Sequence, residues 1–277
     1  MKLGIVGKGG TGKTSLAALL VQCYAERGAA VLAIDTDSDP NLALSLGLDL
    51  TAAEQVPVLP RSLVVGAGNG RLTPAELVGT YGVATPAGAT LLHAARVDEA
   101  GAGCACGGHG VVRSLLAAAT DEEADVTIVD MEAGLEHLSR SAGTLAYADV
   151  LLVVVTPART SAVAARRARD LAEELGIPRI YAVGNRAVTP EDATLLTSAA
   201  VDHGLHLVGI VPDDPDVAAA DRAATMLPGD AGHAARDAVA DIVEALASPD
   251  DERRALLRLR DKLDARIAEL QATGRPA

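Results

Sequence analysis

Glycines and a lysine near the start of the sequence have the spacing of a polyphosphate-binding loop. Residues 7–14 fit the pattern G-x-x-x-x-G-K-[ST], between a short apolar strand and an amphipathic helix, a context that disfavours a flexible turn binding nothing. Glycines let the backbone wrap its N–H groups around phosphate oxygens, and the helix points its positive dipole end at them. Lys13 would reach the β- and γ-phosphates, and the Thr14 hydroxyl could ligate Mg²⁺. The predicted loop residues are Gly7, Gly9, Gly10, Thr11, Gly12, Lys13, Thr14 and Ser15.

Carboxylates follow two further predicted strands. Asp35 comes directly after the apolar residues 30–34, and Asp130 ends the apolar run that starts at residue 126. In a parallel sheet the carboxyl ends of strands share one edge, where Mg²⁺ and an attacking water must be held. Asp130 suits a carboxylate that holds Mg²⁺ through water, and a backbone N–H near Gly134 could sense the γ-phosphate. For the segment after Asp35 an ordinary turn, suggested by Asp-Pro-Asn at 39–41, stays open.

Two thiols, Cys104 and Cys106, lie in a glycine-rich segment just before a predicted helix. Soft thiolates bind metal ions, but a closed tetrahedral site needs four ligands and one chain supplies two here. The economical solution is a symmetric dimer in which each subunit contributes both cysteines. His109 could serve as an extra or alternative ligand. Because C-x-C is not a standard zinc spacing, inert cysteines remain the alternative.

The composition narrows the class of protein. Apolar residues make up 49% of the 277 residues and aromatic ones 1%, so the core must be built from Ala, Val, Leu and Ile. Three cysteines make no disulfide framework, and the N-terminal apolar run is too short for a signal peptide or a membrane span, so we expect a cytoplasmic protein. A net charge of −13 repels nucleic acid and anionic lipid, and neither is expected as a partner.

Strand and helix patterns alternate from residue 2 to residue 211, which predicts an α/β fold with a doubly wound, mostly parallel sheet. The β-branched run 150–155 is typical of a central strand, and residues 61–66 also predict a strand. We expect a single nucleotide-binding domain over 1–248 and an amphipathic extension over 249–277 that docks on the surface or pairs with itself. Its balanced charges disfavour a membrane-targeting helix.

The loop G-K-G-G-T-G-K-T resembles the deviant Walker A motif of the MinD/ParA, nitrogenase iron protein and metallochaperone ATPases. The resemblance implies that Lys8 crosses a dimer interface to the partner's nucleotide. It also implies that Asp37 orients the attacking water and that Asp35 supports the Mg²⁺ shell, although Ser38 leaves the register of Asp37 against Asp39 open. Two further strand ends resemble adenine-contacting turns, with the amide of Asn185 as the base-recognition group. The second of these turns contains Pro212 and Asp213.

The segment D-M-E-A-G-x-E-H-L-x-R, which starts at Asp130, makes the resemblance to a family more specific. With D-T-D-S-D-P-N-L and G-A-G-C-A-C, it is similar to the CooC family of ATP-dependent nickel-insertion proteins in carbon monoxide dehydrogenase maturation. This resemblance implies an ATP/ADP-controlled homodimer that binds Ni²⁺, or Zn²⁺ in vitro, between paired Cys-x-Cys motifs and serves an apo metalloenzyme such as carbon monoxide dehydrogenase. Lys8, Lys13 and Asp37 would be catalytic. A different metalloenzyme client, or a ParA/MinD-type positioning ATPase, is the alternative.

Overall fold

The structure is a computed structural model that describes most of the chain. The described residues are 1–39, 41–60, 62–66, 71–94, 106–118, 123–134, 138 and 143–247. Met1–Val243 forms one compact unit, and Glu244–Ala277 forms a second unit of which only residues 244–247 are described. The predicted extension over 249–277 therefore lies outside the described residues, and its boundary stays a prediction.

Helices separate most of the described strands along the chain, as the sequence predicts. The strands are β1 (Lys2–Gly7), β2 (Val31–Asp35), β3 (Val83–Ala84), β4 (Ala89–His93), β5 (Val126–Asp130), β6 (Val150–Val155), β7 (Ile180–Ala187) and β8 (His206–Pro212). The helices are α1 (Lys13–Glu26), α2 (Asn41–Ser45), α3 (Leu50–Glu54), α4 (Pro74–Tyr81), α5 (Cys106–Ala117), α6 (Arg159–Glu174), α7 (Pro190–Asp202), α8 (Pro215–Ala223) and α9 (His233–Leu246).

The eight described strands form one sheet in the order β3-β4-β2-β5-β1-β6-β7-β8. Each neighbouring pair is parallel except β3 with β4, where the two-residue edge strand runs antiparallel. Every residue of β1, β2, β5 and β6 is buried, because helices cover both faces of the central strands. The predicted fold class is confirmed.

The chain builds the sheet first on one side of β1 and then on the other. Such a reversal leaves a crevice at the carboxyl ends of the central strands, where α/β proteins bind their ligands. The last residues of β2 and β5, Asp35 and Asp130, are paired in register. The residues following β1, β2 and β5 therefore meet at one place, and that place holds the phosphate loop and both predicted carboxylate segments.

One predicted strand is wrong. Residues 62–66 form no strand, and Val65 makes only an isolated bridge to Leu72. The amide of Leu63 donates to the carbonyl of Pro60 at 3.0 Å, so a turn replaces the extended backbone that the apolar residues suggested. Among the residues that the structure describes, no helix is long and apolar enough to cross a membrane.

Candidate active site

The loop between β1 and α1 is a closed turn whose shape depends on glycine. Gly10 and Gly12 have positive φ angles of 79° and 85°, which side chains rarely tolerate. A Cβ on Gly7 would lie 2.8 Å from the carbonyl oxygen of Val154, so β6 packs directly against the loop. The backbone N–H and hydroxyl of Thr11 both donate to the carbonyl of Lys8, at 3.2 and 2.8 Å.

The first turn of α1 has no side-chain cap. Gly12 occupies the N-cap position and supplies no acceptor, and the first turn contains no acidic residue. In contrast, threonine caps α4 and α7 with complete capping boxes, and Asp214 caps α8. The open N–H groups and the positive end of the helix dipole at α1 suit an anion supplied by a ligand.

Lys13 points into a group of carboxylates instead of solvent. Its side chain is buried, and Asp130, Asp37 and Glu132 are the charges that act on it. Burial lowers the pKa of the Lys13 ammonium, and the three carboxylates oppose that shift. Glu132 was not among the predicted site residues. Its place two residues after Asp130 was the only signal, because a residue beyond a strand end on the same loop stays at the same edge.

Asp35 and Asp130 are both buried at the adjoining ends of β2 and β5. Burial raises the pKa of the Asp130 carboxyl to about 6, against the opposing effects of a hydrogen bond from Thr14 and the charge of Lys13. Burial and the neighbouring Asp130 raise the pKa of Asp35 well above its ordinary value. Asp35 accepts hydrogen bonds from the backbone amides of Asp37 and Leu42, at 3.0 and 3.3 Å.

Asp130 Oδ1 is buried and has no hydrogen-bond partner among the described residues. Such an oxygen beside a threonine hydroxyl fits a Mg²⁺ shell, since Mg²⁺ keeps several waters and takes one or two protein oxygens together with phosphates. Within the described part of the chain, no group of three or more His, Cys, Asp or Glu side chains could hold a metal ion by itself. That finding is compatible with a Mg²⁺ ion that nucleotide phosphates help to hold.

Asp37, not Asp39, faces the phosphate loop. The charge of Asp37 acts on Lys13, whereas Asp39 is exposed and donates its backbone N–H to Asp37 Oδ1 at 3.3 Å. This arrangement favours the register in which Asp37 is the residue beside the phosphates. We call residues 7–15, 35–37 and 130–134 the phosphate end of the site.

A cavity of about 290 Å³ extends from the phosphate loop along the ends of β7 and β8. Its lining includes Ser15, Asn185, Pro212, Asp213 and Asp221. We call this region the cavity end of the site. Asp221 was not predicted, because nothing in the sequence pattern of α8 distinguishes it from a solvated acidic residue. Its carboxylate accepts from the Ser15 hydroxyl at 2.9 and 3.1 Å.

Asn185 joins the cavity to the phosphate loop. Its Nδ2 donates to the carbonyl of Thr11 at 2.8 Å, and its Oδ1 accepts from the backbone amide of Arg186 at 3.0 Å. The second N–H and the second lone pair of the amide stay available for a base edge. The backbone amide of Asp213 donates to Ala187 at 2.9 Å, which holds the two predicted turns side by side.

Lys8 extends away from its own phosphate loop. Its ammonium donates to the hydroxyl of Thr160, 3.0 Å away in the first turn of α6, and the contact is exposed to solvent. A cation in that position is free to reach a second molecule. The contact with Thr160 could not be predicted, since 152 residues separate the two.

The predicted metal ligands lie at the limit of the described chain. Cys104 is outside the described residues, and α5 begins at Cys106, whose side chain is not described. Because α5 connects the parallel strands β4 and β5, its first residue lies at the same edge of the sheet as the phosphate loop. The ring of His109 is buried, with Nδ1 3.3 Å from the Thr144 hydroxyl, and this environment favours a structural role.

Comparison with known proteins also indicates a nucleotide-binding protein. A family model for the CobQ/CobB/MinD/ParA nucleotide binding domain matches residues 5–225. The carbon monoxide dehydrogenase accessory protein CooC of Rhodospirillum rubrum is 34% identical over 236 residues, which cover 80% of this chain and 88% of that protein. An uncharacterised ATP-binding protein of Methanocaldococcus jannaschii is 34% identical over 230 residues, covering 78% and 87% of the two chains.

Solved structures share the architecture at lower identity. MinD from Pyrococcus horikoshii, complexed with Mg-ADP, superposes with a TM-score of 0.67 at 18% identity and covers 90% of this chain and 96% of its own. Cobyrinic acid a,c-diamide synthase from Mycobacterium smegmatis, with an ATP analog and magnesium, has a TM-score of 0.62 at 21% identity and covers 89% and 92%. At these identities the likeness shows the fold alone. Because the family model spans nearly all of the compact unit and CooC aligns over four fifths of the chain, the protein belongs to the CobQ/CobB/MinD/ParA nucleotide-binding family and is a CooC-type member of it.

Proposed function

We propose that the protein is a Mg²⁺-dependent ATPase whose homodimer binds Ni²⁺ between paired Cys-x-Cys motifs and delivers it to a carbon monoxide dehydrogenase-like apoenzyme. The coarser part, an ATPase of the CooC type, rests on the family assignment. The observation that supports the finer part is the position of α5, which begins at Cys106 and connects two strands whose carboxyl ends lie at the same edge of the sheet as the phosphate loop.

The phosphate end has the groups that phosphoryl transfer to water needs. Lys13 and the open N–H groups of α1 would bind the β- and γ-phosphates of ATP, and Gly134 would offer a backbone N–H to the γ-phosphate. Mg²⁺, when bound beside Thr14 and Asp130, neutralises charge on those phosphates. Asp37 would accept a hydrogen bond from the attacking water and align it with the γ-phosphorus.

Lys8 would supply its positive charge to a catalytic site only in a dimer. Phosphoryl transfer spreads negative charge over the γ-phosphate oxygens, and an additional cation stabilises that charge. Lys8 contacts Thr160 instead of its own phosphate loop, so we assign its ammonium to the nucleotide of the partner subunit. Hydrolysis would then require the dimer, and the same dimer would bring together two pairs of cysteines.

Ni²⁺ is the cargo of this proposed cycle. Four thiolates from two subunits would hold it, because soft thiolate ligands select late transition metals and a closed site needs four of them. Separation of the subunits after hydrolysis would remove half of the ligands and release the ion to the client. The name of the Rhodospirillum rubrum relative supports carbon monoxide dehydrogenase as the class of client.

The direct test measures metal stoichiometry and mass in solution, with and without ATP, for the wild type and a Cys104→Ser/Cys106→Ser variant. We expect one Ni²⁺ or Zn²⁺ per dimer in the wild type and none in the variant, whose nucleotide binding should be unchanged. Cys23→Ser is the matched control, because Cys23 lies in the last turn of α1 and is not part of the Cys-x-Cys motif, and the variant should bind metal as the wild type does.

Cysteine-independent metal binding, or the absence of binding in every nucleotide state, would contradict the proposal. ATP-dependent cosedimentation with DNA or liposomes would then favour a positioning ATPase.

A further inference from the structure

Thr36 lies between Asp35 and Asp37 in the sequence, and its side chain is fully buried. Its hydroxyl donates to the carbonyl of Asp130 at 2.9 Å and accepts the backbone N–H of Glu132 at 3.2 Å. The Thr36 amide also donates to the Asp130 carbonyl, at 3.1 Å. One side chain thus bonds to the backbone on both sides of Met131.

These bonds begin where the pairing of the sheet stops. Asp35 and Asp130 are the last paired residues of β2 and β5, so beyond them no strand pairing joins these two segments to each other. The Thr36 hydroxyl continues the link by one further residue on each side. Asp37 follows Thr36 directly, and Glu132 is itself the donor to the hydroxyl, so the link ends at two carboxylates that both act on Lys13.

We infer that Thr36 is a positioning residue, whose hydroxyl makes the location of Asp37 depend on the location of residues 130–134. This inference rests on the proposed ATP hydrolysis. It explains how the same site would respond to the γ-phosphate of ATP. A γ-phosphate that binds near Gly134 moves the backbone of Glu132, and the hydrogen bond carries that displacement to Thr36 and its neighbour Asp37. Asp37 then aligns water only when a triphosphate is present.

A purely structural role for Thr36 makes a different prediction. A buried, hydrogen-bonded hydroxyl also stabilises the fold, so its loss lowers the stability whatever its function. A stabilising residue, however, affects ATP and ADP complexes alike. A coupling residue affects the difference between them, because only the triphosphate reaches Gly134.

The test compares Thr36→Val, which keeps the shape and removes the hydroxyl, with Thr36→Ser, which keeps the hydroxyl. Hydrogen exchange of residues 35–42 and 130–134 is followed with ADP and with a non-hydrolysable ATP analogue, and kcat and KM are measured beside it. In the wild type the analogue should protect both segments more than ADP does. In Thr36→Val it should protect only residues 130–134, while kcat falls about 100-fold and KM changes less than about threefold. Thr36→Ser should restore both the protection and kcat.

Protection of residues 35–42 by the analogue in Thr36→Val, or an equal loss in Thr36→Ser, would overturn the inference. If Thr36→Val does not fold, Thr36→Cys serves in its place, since a thiol is a poor donor and acceptor. Failure of the proposed function is separately visible. A wild type that binds ATP without hydrolysing it refutes the ATPase, yet its exchange pattern still shows whether Thr36 couples the segments.

Discussion

The phosphate end and the cavity end of the site differ in how completely their polar groups are satisfied. At the phosphate end two carboxylates are buried side by side, one of their oxygens has no hydrogen-bond partner in the described chain, and the first turn of α1 has no side-chain cap. At the cavity end Asn185 uses both of its polar atoms, and Asp214 caps α8 while also accepting from Ala235.

This difference indicates that the phosphate end depends on its ligand and that the cavity end is formed in advance. Buried, unsatisfied charge costs stability in the free protein, and a nucleotide with Mg²⁺ would remove that cost on binding. A cavity whose polar side chains already have hydrogen-bond partners and carry no buried, unpaired charge needs no such compensation. Substitutions at the phosphate end should therefore destroy hydrolysis with little loss of stability, whereas substitutions at the cavity end should lower stability and affinity together.

The largest effect should follow from Lys8→Ala. We expect kcat to fall about 10³-fold or more, as for removal of a cation supplied in trans, with nucleotide affinity and melting temperature nearly unchanged. A mixture of Lys8→Ala and Asp37→Asn proteins provides the sharper measurement. In a mixed dimer the site with an intact Asp37 receives Lys8 from the other subunit, so two inactive proteins should regain activity when mixed. A Lys8 that acts within its own subunit would give no recovery.

Asp37→Asn should reduce kcat about 100-fold, because the amide cannot accept a proton from the attacking water. ADP affinity should stay the same, since ADP has no γ-phosphate to be attacked. Asp39→Asn is the matched control, and its kcat should stay within about threefold of the wild type because Asp39 is exposed. Calorimetric titration with ADP and steady-state kinetics make the comparison. The reverse result, with Asp39→Asn inactive, would exchange the roles of the two residues.

Asp130→Asn should abolish hydrolysis and yet stabilise the free protein at alkaline pH. The pKa of Asp130 is raised to about 6, so the folded state holds the proton more tightly than the unfolded state. The charge of Asp130 therefore lowers the stability of the wild type by up to ~3 kcal/mol as the pH rises from about 4 to about 6, and the uncharged variant lacks this contribution. Denaturation in urea at pH 4 and at pH 8 measures the difference.

We expect equal stabilities at pH 4 and a more stable variant at pH 8. Asp202→Asn is the control, because this residue is exposed at the end of α7 and should leave the stability unchanged at both pH values. A variant that is less stable than the wild type at pH 8 would show that the buried carboxylate is satisfied without a ligand.

Asn185→Ala should have the smallest effect on hydrolysis and a clear effect on stability. The substitution leaves the carbonyl of Thr11 without its buried donor, which should cost about 1–3 kcal/mol and raise KM for ATP about tenfold. Asp213→Ala is the matched comparison, because Asp213 joins β7 through its backbone amide and its side chain can be removed without breaking that bond. If the Asn185→Ala protein is as stable as the wild type, the proposed difference in stability effects between the phosphate end and the cavity end is wrong.

The fold, and the meeting of the phosphate loop with Asp35 and Asp130 at one edge of the sheet, could be predicted because both depend on local pattern. Strand periodicity and the glycine-lysine spacing of residues 7–14 are properties of neighbouring residues, and the parallel sheet then brings Asp35 and Asp130 together. The contacts of Ser15 with Asp221 and of Lys8 with Thr160 could not be predicted, since each joins a residue of the phosphate loop to a residue more than 150 positions away that belongs to no motif. The prediction of a strand near Val65 was wrong for a local reason, because the chain forms a turn after Pro60.

The measurement that tests the central claim most directly is the affinity of a non-hydrolysable ATP analogue with and without Ni²⁺, set against the affinity of Ni²⁺ with and without the analogue. Linkage requires the two factors to be equal, and if ATP assembles the dimer that holds the metal we expect them to be greater than one and to disappear in Cys104→Ser/Cys106→Ser. Tight binding of both ligands with factors of one would contradict the account, because the metal site would then be independent of the nucleotide.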